Sequence, residues 1–168
     1  MAPTITSLTI SDAVINEDGS VTVTGSFTDP GTLDTHTVLI DWGPGEATSA
    51  ATVTPSPGGG GTFTATHQYL DDNPTGTTSD NYVITATVTD DDGASHSAVV
   101  TLTVDNVAPT ITSLTISDAV INEDGSVTVT GSFTDPGTLD THTVLIDWGP
   151  GEATSAATVT PSPGGGGT

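Results

Sequence analysis

The sequence predicts an all-β fold: a seven-stranded, two-sheet β-sandwich, tandemly repeated. Three observations lead there. Thr supplies 36 of the 168 residues, and its branched Cβ favours strands over helices. Apolar and polar residues alternate in short runs, and no Leu/Ala/Glu/Lys tract of helical length interrupts them. Residues 2–62 recur unchanged as residues 108–168, at an offset of 106. That period is too long for a solenoid repeat and suits a domain.

Each element of one unit follows from its pattern. The first strand is expected at 4–10, where Ile5, Leu8 and Ile10 are apolar. The second, at 20–28, carries Val21, Val23 and Phe27 on alternate positions. The third, at 35–42, puts Val38, Ile40 and Trp42 on one face, and a fourth is expected at 46–54. The fifth, at 62–69, holds Phe63, Ala65, His67 and Tyr69 in phase. The sixth, at 81–89, carries Tyr82, Ile84, Ala86 and Val88; the seventh, at 95–104, carries Ala98, Val100, Leu102 and Val104. Turn residues separate them: Glu17-Asp18-Gly19, Asp29-Pro30-Gly31, Gly43-Pro44-Gly45 and Asp92-Gly93. Seven short strands in a unit of this size argue for a sandwich. Residues 1–106 are therefore expected to form one complete module and residues 107–168 the first part of a second, identical and truncated one, cut from a longer string.

The composition excludes several function classes. Formal charge is −21, with 21 Asp plus Glu and no Lys, Arg or Cys. Without cations the chain is not expected to bind nucleic acid or an anionic membrane surface. Without Cys it has no disulfides or thiolate metal sites. No apolar run is long enough for a transmembrane helix, so no membrane insertion is expected. Met1-Ala2-Pro3 leads directly into strand-like sequence with no signal-peptide pattern. That leaves a cytoplasmic protein or a fragment of something larger, and the repeat favours the fragment.

The run Ile40-Asp41-Trp42-Gly43-Pro44-Gly45 resembles the Trp/Phe-Gly-Asp-Gly signature of PKD (polycystic kidney disease) domains. His67-Gln68-Tyr69, and the run from Tyr82 through Asp90-Asp91-Asp92-Gly93, resemble the closing strands of that family. The resemblance covers nearly the whole unit, although Pro44 stands where the family has Asp. It implies an Ig-like (PKD-like) sandwich. The ending Val104-Asp105-Asn106-Val107-Ala108-Pro109-Thr110 is similar to linkers of large bacterial surface proteins built from PKD-like and cadherin-like modules. Those families imply extracellular or cell-surface stalks, adhesins and fibres, or accessory modules on secreted hydrolases, and no catalysis.

Candidate chemistry is sparse. Acid–base catalysis needs paired carboxylates in a pocket or a partnered His. Asp34 with His36, and Asp140 with His142, are the nearest approach, and both read as solvated polar pairs beside a turn. No enzyme activity is expected. His67, in phase with Phe63 and Tyr69, reads as a hydrogen-bonded, partly buried side chain, and Trp42 as the core plug of a sandwich. Asp41 either faces solvent or caps the next turn.

Metal binding is the stronger expectation. Carboxylates without neighbouring cations repel one another, and a hard divalent cation with oxygen ligands relieves that. If successive strands alternate in direction, the termini lie at opposite poles and modules stack end to end. One pole then gathers Asn16, Glu17, Asp18, Asp71, Asp72, Asp80, Asp105 and Asn106. The following module would offer Asp135 and Asp140, and the acids of its last turn, equivalent to Asp90, Asp91 and Asp92. The arrangement is similar to the calcium-bound junction of cadherins. The expected ligands are Glu17, Asp18, Asp71, Asp72, Asp105, Asn106, Asp135 and Asp140, the expected cofactor is Ca²⁺, and the alternative is that these acids only solvate turns.

Other features carry less. Pro55-Ser56-Pro57 followed by four Gly reads as a flexible hairpin loop. No N-glycosylation acceptor exists, because Asn73 precedes Pro74; exposed Thr and Ser are candidates for O-glycans. Residues 109–168 alone would leave an apolar face and open strand edges. Each chain holds two first halves and one second half, so exchange between identical chains cannot complete every half. The expected function is a structural tandem-repeat module of an extracellular stalk, adhesin or fibre, whose partners are neighbouring identical modules. The alternative is a polysaccharide- or protein-binding accessory module of a secreted enzyme, which would need a row of exposed aromatics.

Overall fold

The computed structural model describes residues 1–73 and 75–168. The chain is all-β and divides into two units, Met1–Asn106 and Val107–Thr168.

In the first unit, β1 (Thr4–Ile10), β3 (Ser20–Thr28), β7 (Gly61–Gln68) and β6 (Thr52–Pro55) form one sheet in that spatial order. The second sheet has the order β2 (Val14–Asn16), β9 (Ser95–Asp105), β8 (Ser79–Asp90), β4 (His36–Asp41), β5 (Ser49–Ala50). Alternation places the core. In β3, Val21, Val23 and Phe27 turn inward; in β8, Tyr82, Ile84, Ala86 and Val88 do so; in β4, Val38 and Ile40, with Trp42 just beyond. Side chains of both sheets meet in one cluster with Phe63, Leu102 and Val104. This layering is consistent with a β-sandwich.

Two departures from the predicted strands have physical causes. The expected strand at 46–54 is two strands in different sheets. Leu39 and Ile40 pair with Ala50 and Ser49, Ala51 N donates to Val38 O at 2.8 Å, and Thr52 then pairs with Thr64 across the sandwich. An edge segment that changes sheets keeps its alternation, so the pattern hides the crossing. Val14–Asn16, not expected as a strand, pairs in parallel with Thr103, Val104 and Asp105. Three residues are too few to display a period.

One close approach fixes a glycine. Gly25 stands opposite Phe63 in the β3–β7 register, and a Cβ there would run into the Phe63 ring and the Ser7 carbonyl.

The second unit holds two hairpins. β10 (Thr110–Ile116) pairs with β11 (Val129–Thr134) in the register of β1 with β3, including the same irregularity between its second and fourth residues. β12 (Leu145–Ile146) pairs with β13 (Ser155–Ala156), as β4 pairs with β5. The expected equivalents of the second, third and fourth strands are thus shortened. Gly167, the equivalent of Gly61, still bridges Phe133 and Pro161, but residues 63–104, which pair with and cover the rest in the first unit, have no counterpart among the described residues of this one.

Candidate metal centre

Strand pairing puts three segments at one end of the first unit. Ser20 pairs with Gln68, Tyr69 N donates to Gly19 O at 2.9 Å, and Glu17 N donates to Asp105 O at 2.9 Å. There the carboxylates of Glu17, Asp71 and Asp72 each offer an oxygen within 4.8 Å of the others. All three are buried. This is the core of the predicted ligand set.

The other predicted members are placed differently. Asp18 sits at φ 61° and is exposed; its Oδ1 accepts from Gln68 Nε2 at 2.7 Å, so it serves the turn. Asp105 is tied in through its backbone, between Asn16 and Ser79, and Asn106 N donates to Thr78 O at 3.1 Å. Neither Asp18 nor Asp105 joins a carboxylate cluster among the described residues. Asp80 is held by Thr75, whose N and Oγ1 donate to its carboxylate at 2.7–2.9 Å.

The opposite end carries a second cluster: Asp29, Asp34 and Asp90, again with oxygens within 4.8 Å. Asp29 Oδ1 accepts from Gly31 N at 2.9 Å and its Oδ2 from His36 Nε2 at 2.7 Å. A carboxylate only accepts, so Nε2 carries the proton. The His36 hydrogen bond, then that of Gly31, holds the Asp29 carboxyl below its usual value. Asp34 moves the other way: desolvation, then the charges of Asp91, Asp29, Asp90 and Asp92, push its carboxyl up. Asp90 Oδ1 accepts from Ala94 N at 2.7 Å.

In the second unit Asp135 and Asp140, both predicted ligands, do come together, with His142 as third member within 4.8 Å. Asp135 repeats the local pattern of Asp29, accepting from Gly137 N at 3.1 Å and from His142 Nε2 at 2.6 Å. The histidines thus bond Asp29 and Asp135 rather than the expected Asp34 and Asp140. This Asp–His pair is a feature of the loop itself and is largely withdrawn from solvent, the His142 and Asp135 side chains being 12% and 0% exposed.

The aromatics belong to the core. Trp42 is fully buried, donates to Ser49 Oγ at 2.8 Å and stacks on His67 at 4.9 Å. His67 bonds Glu46 at 2.7 Å, and the Tyr69 hydroxyl donates to Trp42 O at 2.8 Å. Burial, before neighbouring carboxylates, pushes the phenols of Tyr69 and Tyr82 well above their ordinary value. Asp41 caps its turn, accepting from Gly43 N at 3.0 Å. Sequence reasoning passed over His96, whose Nδ1 accepts from Ile5 N at 3.3 Å and ties β1 to β9. No helix among the described residues is long and apolar enough to cross a membrane.

The two clusters of the first unit offer only carboxylate oxygens, which suit a hard divalent cation, whereas the cluster of Asp135 and Asp140 adds the nitrogen of His142. No family model matches the chain, and no curated protein matches it.

Proposed function

We propose that the chain is a PKD-like, immunoglobulin-type β-sandwich module, tandemly repeated, of an extracellular stalk, adhesin or fibre. Its partners are neighbouring identical modules, and its exposed Thr and Ser rows are where O-glycans attach. Calcium at the acidic poles stiffens the array, with Glu17, Asp71 and Asp72 supplying one pole of a module. The observation that carries the reading is the unchanged recurrence of residues 2–62 as 108–168. Identical units in series are what a spacer of defined length requires. Buried carboxylates at both ends of one unit, in a chain without Lys or Arg, support the cation. In the first unit Trp42, Tyr69 and Tyr82 are buried in the core, which favours the spacer over a sugar-binding module with a row of exposed aromatics.

Single-molecule stretching of an array of full 106-residue units tests it. Repeated unfolding steps of about 300–350 Å are expected, from the extended reach of such a unit, with higher rupture forces in calcium than in EDTA. A featureless extension, or forces indifferent to calcium, would remove the mechanical reading.

A further inference from the structure

We infer that Asp29, Asp34 and Asp90 form a calcium site that is complete within a single module. It goes beyond the stalk reading, because it needs no neighbour.

The register of the strands builds it. In β8 the inward-facing positions are Tyr82, Ile84, Ala86, Val88 and then Asp90. In β3 the inward series Val21, Val23, Phe27 continues into Asp29, just past the strand end. His36, which pairs with Asp90, opens the inward series of β4. The apolar core thus ends on two carboxylates in core register, 3% and 5% exposed. Asp34 closes the cluster from the intervening loop. Its carboxyl lies over Gly31, where a Cβ would collide with it.

The hydrogen bonds are lopsided. Both oxygens of Asp29 meet N–H donors, which orient the carboxylate and leave lone pairs for a cation. Asp90 Oδ1 is likewise satisfied by Ala94. Asp90 Oδ2 is buried and has no hydrogen-bond partner among the described residues. A buried anionic oxygen without a donor is among the costliest features a fold can carry. The chain has no Lys or Arg to answer it, and His36 is committed to Asp29. A divalent ion bridging the three carboxylates supplies the missing partner and offsets the desolvation and the nearby charges of Asp91, Asp29, Asp90 and Asp92 that push Asp34 up. The donors are all oxygen and anionic, which selects calcium over the softer metals.

The test uses the whole 168-residue chain, stripped with EDTA and titrated with calcium chloride. The amide resonances of Gly31 and Ala94, whose N–H groups donate to Asp29 and Asp90, are followed by NMR. Saturable shifts with Kd of roughly 10⁻⁴ to 10⁻³ M are expected. Asp90→Asn, which keeps the Oδ1 acceptor, and Asp34→Asn should each weaken this event at least tenfold, whereas Asp72→Asn at the other pole leaves it unchanged. Melting adds a second readout: without calcium Asp90→Asn melts at or above the parent, and with saturating calcium the order reverses. Gly31 and Ala94 resonances that ignore calcium, or shifts equally strong in Asp90→Asn and Asp34→Asn, overturn the inference. Calcium responses lost in Asp72→Asn but kept in Asp90→Asn would also overturn it, while leaving the stalk reading standing.

Discussion

Residues 2–62 and 108–168 are the same sequence in two surroundings. In the first unit residues 63–104 accompany them; in the second they stand without that complement among the described residues. What survives in both is local. The hairpin register is the same, and so are its hydroxyl pairs: Thr9 with Thr24 at 2.9 Å, Thr115 with Thr130 at 2.8 Å. Trp42 and Trp148 bond Ser49 and Ser155 at the same 2.8 Å. The Asp29–His36 pair recurs as Asp135–His142. What differs is everything that needs a second sheet. Ile5 is 9% exposed and Ile111 69%; Trp42 is 0% and Trp148 39%. Val14–Asn16 is a strand only where β9 is present to pair with it. Turns, hairpins and caps are thus written within 61 residues, whereas burial and strand length come from residues 63–104.

Several experiments sharpen or break that contrast, beginning with the largest effect. Appending a second copy of residues 63–106 to Thr168 should convert the second unit into a cooperative sandwich. Trp148 emission would shift to the blue, and a second melting transition would match the first. An unchanged spectrum would mean that residues 63–104 do not organise the first half. Next, Trp42→Ala should cost about 3–5 kcal/mol, the range for emptying a packed aromatic site, and Trp148→Ala under about 1 kcal/mol, both read from chemical denaturation. Comparable costs would contradict the difference in burial. Smaller again, Gly25→Ala should destabilise by about 1–3 kcal/mol through overpacking against Phe63, and more than Gly131→Ala, which meets the Ser113 carbonyl but no such ring.

The smallest effect is electrostatic. The Asp34 carboxyl is raised in the fold, so its charged form is penalised. The penalty is full above the folded value and vanishes as pH falls below the ordinary carboxylate value. Asp34→Asn should therefore raise the melting temperature at pH 7 in EDTA, with the gain fading toward pH 3. Asp29 has the opposite sign: lowered in the fold by His36 and Gly31, it contributes stability above the ordinary carboxylate value and loses it as pH falls through the folded one. Asp29→Asn should destabilise at pH 7 and matter less in acid.

Much of this was legible in the sequence. Alternation marked Thr4–Ile10 and Ser20–Thr28 to the residue, and the core faces of the later strands, because period-two burial is a one-dimensional property. The change of sheet at Ala51 and the parallel strand at Val14–Asn16 were not, since both depend on which edge is open in space. At the candidate site, grouping Glu17 with Asp71 and Asp72 followed from topology alone. Asp18 and Asp105 fell outside, one taken by Gln68 and the other held by its backbone. The placing of Asp29 and Asp90 in core register was present in the alternation, as an acid where the next apolar residue belongs. Their composition suggested turns, and turn chemistry hid the register.

Native-state hydrogen exchange by NMR tests most directly the claim that one core, shared by two halves, makes the module. Amides of β1 and β3 should exchange only through global unfolding of the first unit, and those of β10 and β11 orders of magnitude faster despite identical sequence and register. Equal protection in the two hairpins would contradict it.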